Sequence, residues 1–267
     1  MNTDDYLVHP DHAIRLGDHP TTAPKAADKA DALARTTELT TRLTELQNIL
    51  WADHSQRVLV VLQAIDGGGK DGTARHVLGP LNPAGVRVVS FKAPTPPELD
   101  HDFLWRVHAQ VPADGEIVVF NRSHYEDVLV VRVHGLVPKP RWKARYRHIC
   151  DFEQMLVDEG TTIVKVFLHI SKDEQRARLQ KRVDTPDKQW KFLATDLDER
   201  KLWNDYQAAF EDMLNRTSTD AAPWYAVPAD NKWYRDLVVA QVLVDTLESL
   251  QLSYPSAAPG VAGTVVE

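Results

Sequence analysis

Between positions 64 and 73 the chain reads Ala64-Ile65-Asp66-Gly67-Gly68-Gly69-Lys70-Asp71-Gly72-Thr73. Three consecutive glycines let the backbone approach an anion closely, and successive N–H groups can form a nest for it. A lysine directly after them adds a mobile positive charge, and a helix beginning there adds its positive end. This is the chemistry of a phosphate-binding loop. The pattern departs from the usual one twice. Ala64 stands where a first glycine is expected, and Asp71 stands where a hydroxyl residue follows the lysine; Thr73 lies two positions further on. Asp66 suits a hard cation such as Mg²⁺, which takes oxygen ligands and bridges phosphates. The alternative reading is a tight strand-to-helix turn with Asp66 as its turn or cap residue.

A second constellation is Phe120-Asn121-Arg122-Ser123-His124-Tyr125-Glu126-Asp127. Arg122 could clamp a transferring phosphoryl group. Phosphate-loop enzymes often place an Asp at such a strand end to hold Mg²⁺; here the residue is the amide Asn121. Glu126 and Asp127 read either as ligands of a metal or of the acceptor's surroundings, or as plain helix-face acids. Two basic segments follow. The first holds Arg132, Lys139, Arg141, Lys143, Arg145 and Arg147 without an intervening acid. The second holds Lys172, Arg176, Arg178, Lys181, Arg182, Lys188 and Lys191, diluted by Asp173, Glu174, Asp184 and Asp187. Thr185-Pro186 interrupts this second segment, as expected for a movable lid over a phosphate site. Trp105, Trp142, Trp190, Trp203 and Trp224 read as core or hinge packing.

The elements that must position these residues are legible as periods. Arg57–Ile65 (RVLVVLQAI) is a nearly continuous β-branched and aliphatic run, as expected for a strand covered on both faces. Further strands are expected at Val86–Phe91, Glu116–Phe120, Thr161–Ile170 and, briefly, Trp224–Val227. Helices are expected at 26–53, where Leu39, Leu43, Leu46 and Leu50 form one stripe, and from the glycine loop's lysine onward. Others are expected at 97–110, from Pro140 to Gly160, at 172–182, at 196–216 and at 233–250. Strands alternating with helices mean a parallel sheet with helices on both faces. Residues 1–25 read as an arm, 26–252 as a single domain with a lid at about 172–195, and 253–267 as a flexible tail.

The 267 residues can bury a full core, and their net charge is −7. A chain this acidic does not attract polyanions as a whole, so phosphate-rich ligands require a local basic site. The single cysteine, Cys150, excludes an intrachain disulfide and a multi-cysteine zinc site. No apolar run approaches a membrane span, and Met1–Pro10 lacks the apolar region of a secretory signal. The cytoplasm is the expected location.

Taken together, AIDGGGKDGTARHVLGPLNPAGVRVVSFKAPT, ELDHDFLWRVHAQVP, GEIVVFNRSHYEDVLVVRVHG and KDEQRARLQKRVDTPDKQWKF resemble the polyphosphate kinase 2 family, over about Arg57 to Leu250. The resemblance implies a thymidylate-kinase-like P-loop fold with a helical lid. It implies Mg²⁺-dependent, reversible phosphoryl transfer between inorganic polyphosphate and a nucleotide. It makes Asp66, Lys70 and Arg122 catalytic, with Asp66 also the metal residue. Phosphate and nucleotide binding would fall to Gly67, Gly68, Gly69, Gly72, Thr73, Asn121, Arg132, Arg176, Arg178 and Arg182. The form FNRSHYEDVL, with Asn121 where many members carry Asp, resembles the branch that phosphorylates AMP as well as ADP. Homo-oligomers, dimers or tetramers, are implied, supported by the stripe on the first helix. The alternatives are an enzyme restricted to ADP, an ATP-dependent nucleoside monophosphate kinase on the same fold, or a non-catalytic polyphosphate or nucleic-acid binder. Asp66 beside Lys70 argues against the binder, since a passive polyanion site has no use for a central carboxylate. The net charge argues against nucleic acid.

Overall fold

Among the described residues, six strands form one sheet: β1 (Leu7–Val8), β2 (Arg57–Gln63), β3 (Val86–Ser90), β4 (Ile117–Asn121), β5 (Thr161–His169) and β6 (Trp224–Pro228). The structure is a computed structural model and describes residues 1–261 and 263–266. The spatial order is β1-β6-β5-β2-β4-β3, with β2 to β6 parallel and β1 antiparallel at one edge. Val58 to Leu62 are completely buried, as a strand flanked by strands and covered on both faces requires. Each such side chain contributes on the order of 1.5–3 kcal/mol of transfer free energy.

Among the described residues, ten α-helices surround the sheet. They are α1 (Lys29–Asp53), α2 (Lys70–Thr73), α3 (Pro96–Leu99), α4 (Trp105–His108) and α5 (Val130–Val133), then α6 (Lys139–Asp158), α7 (Lys172–Asp184), α8 (Thr195–Lys201), α9 (Trp203–Thr217) and α10 (Lys232–Ser249). The side chain of Asp28 caps α1 by accepting from the Ala30 and Asp31 amides, and His54 ends the helix in the left-handed region. The stripe Leu39, Leu43, Leu46, Leu50 is buried where α1 packs on α10. It is therefore consumed within the chain and gives no support to a second copy. No described helix is long and apolar enough to cross a membrane.

Two stretches expected to be single helices are each divided. At 97–110, a capping box of Thr95 with Glu98 starts α3, and the Asp102 carboxylate then accepts from the Leu104 amide. That local turn competes with continued helix, so α4 begins anew. At 196–216 the break falls at Leu202, between α8 and α9. The arm contributes β1, too short to be read from the sequence, and lies along the sheet edge through Leu7↔Tyr225 and Val8↔Trp224. Within the 253–267 segment, Ala262 and Glu267 lie outside the described residues.

A polar network lies inside the core behind β4. Lys165 is fully buried in β5, and its Nζ donates to Glu153 Oε2 (2.6 Å), Tyr125 Oη (2.9 Å) and the Thr217 carbonyl (2.6 Å). Tyr125 Oη donates to Glu153 Oε1 at 2.7 Å. Nothing in the apolar run TTIVKVFLHI announces this, yet it pins the turn that follows β4.

Candidate active site

The glycine loop leaves the carboxyl end of the central strand β2, and α2 starts at Lys70. Gly67 and Gly69 adopt φ of 81° and 106°. A Cβ on Gly69 would stand 2.3 Å from an Arg235 nitrogen, so only glycine fits. The helix continues as a π-helical turn over Ala74–Leu78, a feature often found at functional sites. Asn121 of β4 pairs with Leu62 of β2, which delivers Arg122 beside the loop. Arg122 itself sits at φ 62°, left-handed for a residue with a Cβ, and such strain gathers at functional sites.

The charged centre is Asp66, Lys70, Arg122 and Glu126. Arg122 donates to Asp66 Oδ1 at 2.7 Å. Lys70 is 8% exposed, and its Nζ donates to the Ala64 carbonyl at 2.7 Å. Burial alone would raise the Asp66 carboxyl, but Lys70 and Arg122 outweigh it and hold the group below the ordinary carboxylate range. Its side chain is 39% exposed and lines a crevice. Burial depresses the Lys70 ammonium, with Asp66 opposing. Burial raises the Glu126 carboxyl despite Lys70 and Arg122. The Gln63 amide, turned so that its NH₂ meets a carboxylate, donates to Glu126 Oε1 at 3.1 Å.

These groups line a crevice of about 1190 Å³ at the carboxyl ends of β2, β3 and β4, where ligands sit in open parallel sheets. Gly67, Gly68, Gly69, Gly72, Asn121 and Arg182 line it too. Its roof comes from the lid: Lys181 and Arg182 of α7, Lys188, Trp190 and Lys191 of the following 3₁₀ turn, and Asp196 and Glu199 of α8. Asn121 donates to Asp71 Oδ1 at 2.7 Å, and Lys191 stands 3.7 Å from the same carboxylate. The lining holds eleven lysines and arginines against six Asp and Glu, although the whole chain is at −7.

Several expected site residues are elsewhere. Thr73 is buried and its hydroxyl donates back to the Gly69 carbonyl at 3.3 Å, so it faces its own helix and not the crevice. Arg132 donates to Asp212 at 2.7 Å and to Tyr146 at 3.1 Å, and lies over the Trp142 ring. Arg176 is exposed outside the lining. Arg178 lines the crevice but spends its guanidinium on protein acceptors. It donates to the carbonyls of Gly67, Gly68, Ala229 and Asp230 and to Glu174. A guanidinium with these donors occupied buttresses the loop instead of binding phosphate. None of the six cations from Arg132 to Arg147 is among the described lining residues. Arg145 is tied to Asp127 at 2.8 Å, and Lys139, Arg141, Lys143 and Arg147 face solvent on α6. Trp142, Trp203 and Trp224 are buried as expected, but Trp190 is 75% exposed on the crevice rim and Trp105 stacks on His101 at the surface.

Other lining groups were missed. Lys92 follows β3 and was findable from the rule that ligands meet strand carboxyl ends. Arg235 donates to the Gly69 carbonyl at 3.3 Å and is held by Asp236 at 2.6 Å; it lies 166 residues away in sequence, with no local signal. His76 takes the other Asp236 oxygen through Nδ1 at 2.9 Å.

A parallel sheet in this order, with a glycine loop and lysine at the tip of its central strand and a basic helical lid above, defines a P-loop kinase. Such an enzyme holds phosphates on loop amides and neutralises transferring charge with cations. The family model for polyphosphate kinase 2 matches residues 26–254, and the chain belongs to that family. It is 54% identical over 264 residues to the AMP/ADP-polyphosphate phosphotransferase of Meiothermus ruber, covering 98% of this chain and 99% of that one. It is 51% identical over 230 residues to the ADP-polyphosphate phosphotransferase of Rhodopseudomonas palustris, covering 82% and 80%. The crystal structure of polyphosphate kinase 2 from Arthrobacter aurescens matches with a TM-score of 0.92 at 46% identity, over 97% of this chain and 93% of that one.

Proposed function

We propose that this protein transfers the terminal phosphoryl group of inorganic polyphosphate to AMP and to ADP, reversibly and with Mg²⁺. The observation that carries this reading is the crevice itself. An ionised Asp66 sits between Lys70 and Arg122 at its floor, and the excess of cations around it lies in an acidic chain. A donor with many charges per unit length needs more neutralising groups than a nucleotide alone.

In the transfer, an oxygen of the acceptor's phosphate attacks the terminal phosphorus of polyphosphate. The bridging P–O bond breaks, and the shortened chain leaves with that oxygen. Lys70 and the loop amides hold phosphates at the transfer point, Arg122 neutralises charge on the equatorial oxygens, and Arg182 closes from the lid. Asp66 has one carboxylate oxygen on Arg122 and one free, at the mouth of the phosphate loop, and the nearby Glu126 supplies a second carboxylate. That donor set fits Mg²⁺, which takes one or two carboxylates and completes its shell with phosphate oxygens and water. Asp66 and Glu126 would hold such an ion, and the chemistry it would supply is neutralisation of phosphate charge.

Asn121 supports AMP as an acceptor. AMP brings one phosphate where ADP brings two, so its phosphate must sit deeper. A neutral amide at Asn121 repels it less than a carboxylate would. The Meiothermus ruber relative, named for both acceptors, matches nearly the whole chain. We place the enzyme in the cytoplasm, where free adenine nucleotides are, and as a homo-oligomer. The unpaired edge of β3 with Val88, and Leu99 and Trp105 on the segment after it, are the exposed apolar groups that support assembly. The test supplies Mg²⁺, polyphosphate and AMP alone and follows nucleotides by chromatography. ADP should appear first and ATP after it. Untouched AMP beside conversion of ADP would make the enzyme ADP-only, and transfer only from ATP would make it a nucleoside monophosphate kinase.

A further inference from the structure

The turn between β6 and α10 stands outside the crevice lining, yet two distant parts of the chain, the segment ahead of α1 and the helix α7, meet on one residue there, Asp230. Its carboxylate accepts the Thr21 hydroxyl through Oδ2 at 2.7 Å and the Ser171 amide through Oδ1 at 2.8 Å. Its own amide donates to the Thr21 carbonyl at 2.8 Å. Its carbonyl accepts Arg178 Nη2 at 3.1 Å. The next side chain, Asn231 Oδ1, accepts the Ala23 amide at 2.9 Å.

Each partner matters to the site. Ser171 is the N-cap of the lid helix α7, its hydroxyl accepting the Glu174 amide at 3.1 Å. Arg178 lies two turns along the same helix, and its Nη1 donates to the Gly67 and Gly68 carbonyls at 3.0 and 2.8 Å. A peptide plane carries its C=O and the following N–H on opposite sides. Fixing the Gly68 carbonyl on one side therefore aims the Gly69 N–H to the other, while the Gly68 N–H, opposite the Gly67 carbonyl, donates to the Ile65 carbonyl at 2.9 Å and tightens the turn. Asp230 thus holds both the start of the lid helix and the far side of the guanidinium that sets the loop.

We propose that Asp230 is a positioning residue for phosphoryl transfer, latching the N-terminal segment at Thr21 and the N-cap of α7 at Ser171 so that Arg178 holds the phosphate loop in its anion-binding form. Its kinetic consequence rests on the function proposed above; its consequence for the loop does not. The segment ahead of α1 is, on this view, the outer part of the same latch.

The test uses the full-length chain carrying Asp230→Ala, Asp230→Asn or Thr21→Val. Hydrogen exchange is read on peptides over 64–72 and 171–178, with β2 as internal reference, and kcat and KM are read with polyphosphate and AMP. In Asp230→Ala the 64–72 peptide, through its Gly68 amide bonded to the Ile65 carbonyl, should exchange at least about tenfold faster with β2 unchanged, and kcat should fall by about tenfold or more, as misplacement of reacting groups demands. Asp230→Asn should recover most of both, because its carbonyl still accepts from Ser171 and its NH₂ can donate to the Thr21 hydroxyl. Thr21→Val should move both in the same direction, by less. Unchanged loop exchange in Asp230→Ala, or Asp230→Asn as impaired as Asp230→Ala, overturns the proposal. If Asp230→Ala does not fold, the other two decide: a wild-type loop in Thr21→Val or an unlatched one in Asp230→Asn refutes it. If polyphosphate is not the donor, wild type shows no transfer either, and the exchange arm still gives the answer.

Discussion

Replacing Lys70 by methionine separates catalysis from stability. Methionine keeps the length and apolar stem and removes the charge. In the folded protein the ammonium is 8% exposed and makes one hydrogen bond, to the Ala64 carbonyl. Losing that bond costs about 1 kcal/mol. Against this, burial disfavours the charged form of Lys70, and methionine has no such penalty. Asp66 loses the Lys70 charge that helps hold it ionised but keeps its 2.7 Å contact with Arg122, and Glu126 keeps Arg122 and Gln63, so no carboxylate is left without a partner. The expected change in unfolding free energy is therefore small, within roughly 1 kcal/mol either way. Catalysis has no such compensation. A donor aimed at charge that develops during transfer is worth about 3–4 kcal/mol, or 10²–10³ in kcat. Initial rates with polyphosphate and AMP, beside urea unfolding of the same preparation, measure both quantities. A folded Lys70→Met protein with kcat within tenfold of wild type would falsify the assignment. So would a loss of activity that tracks a loss of several kcal/mol of stability.

Asp66→Asn should lose on the order of 10²-fold in kcat, and Asp71→Asn much less, because Asp71 is 68% exposed and bonded to Asn121 and Lys191 at the rim; an Asp71 variant with the lower kcat would reverse the assignment. Glu126 sets a pH dependence of stability. Burial raises its folded pKa above the unfolded value, so between the two values the folded state binds more protons and stability from this group falls as pH rises. Glu126→Gln should accordingly raise Tm more at pH 8 than at pH 5, and a gain independent of pH would sink the idea. Affinity for long polyphosphate should fall linearly on a log–log plot against salt, by analogy with nucleic acids. Charge removal at Lys188 and Lys191 should flatten that slope, whereas Lys139→Ala and Arg141→Ala should leave it unchanged; the opposite pattern would move the donor onto α6.

Much of the site was legible because its signals are local. The run Arg57–Gln63 followed by three glycines and Lys70 needs only neighbouring residues to specify a buried strand, a tight turn and a helix start. The Leu39–Leu50 stripe needs only the helical period. Arg122 was found because a strand end carries side chains into the crevice, although its partner Asp66 is 56 residues away.

Charge alone could not tell which cations face the donor. Arg178 and Arg132 are as basic in the sequence as Arg182, but a guanidinium's role depends on which acceptors the fold brings to it. For Arg178 these are carbonyls 110 and 51 residues distant; for Arg132 it is Asp212, 80 residues on. Lys165 gave no warning either, since a lysine within an apolar run becomes a buried ion only when Glu153 and Tyr125 arrive from other elements.

The sequence by itself determined the phosphate loop, the strand-and-helix alternation and the family, because backbone conformation and periodicity are set over a few residues. Only the tertiary structure decided that the lid's cations, and not those of α6, surround the loop, and that Arg178, Arg235 and Asp230 hold it from behind. The physical reason is that hydrogen bonds and ion pairs act over a few ångströms in space, and strand order, which sequence spacing does not encode, decides which groups come within that range.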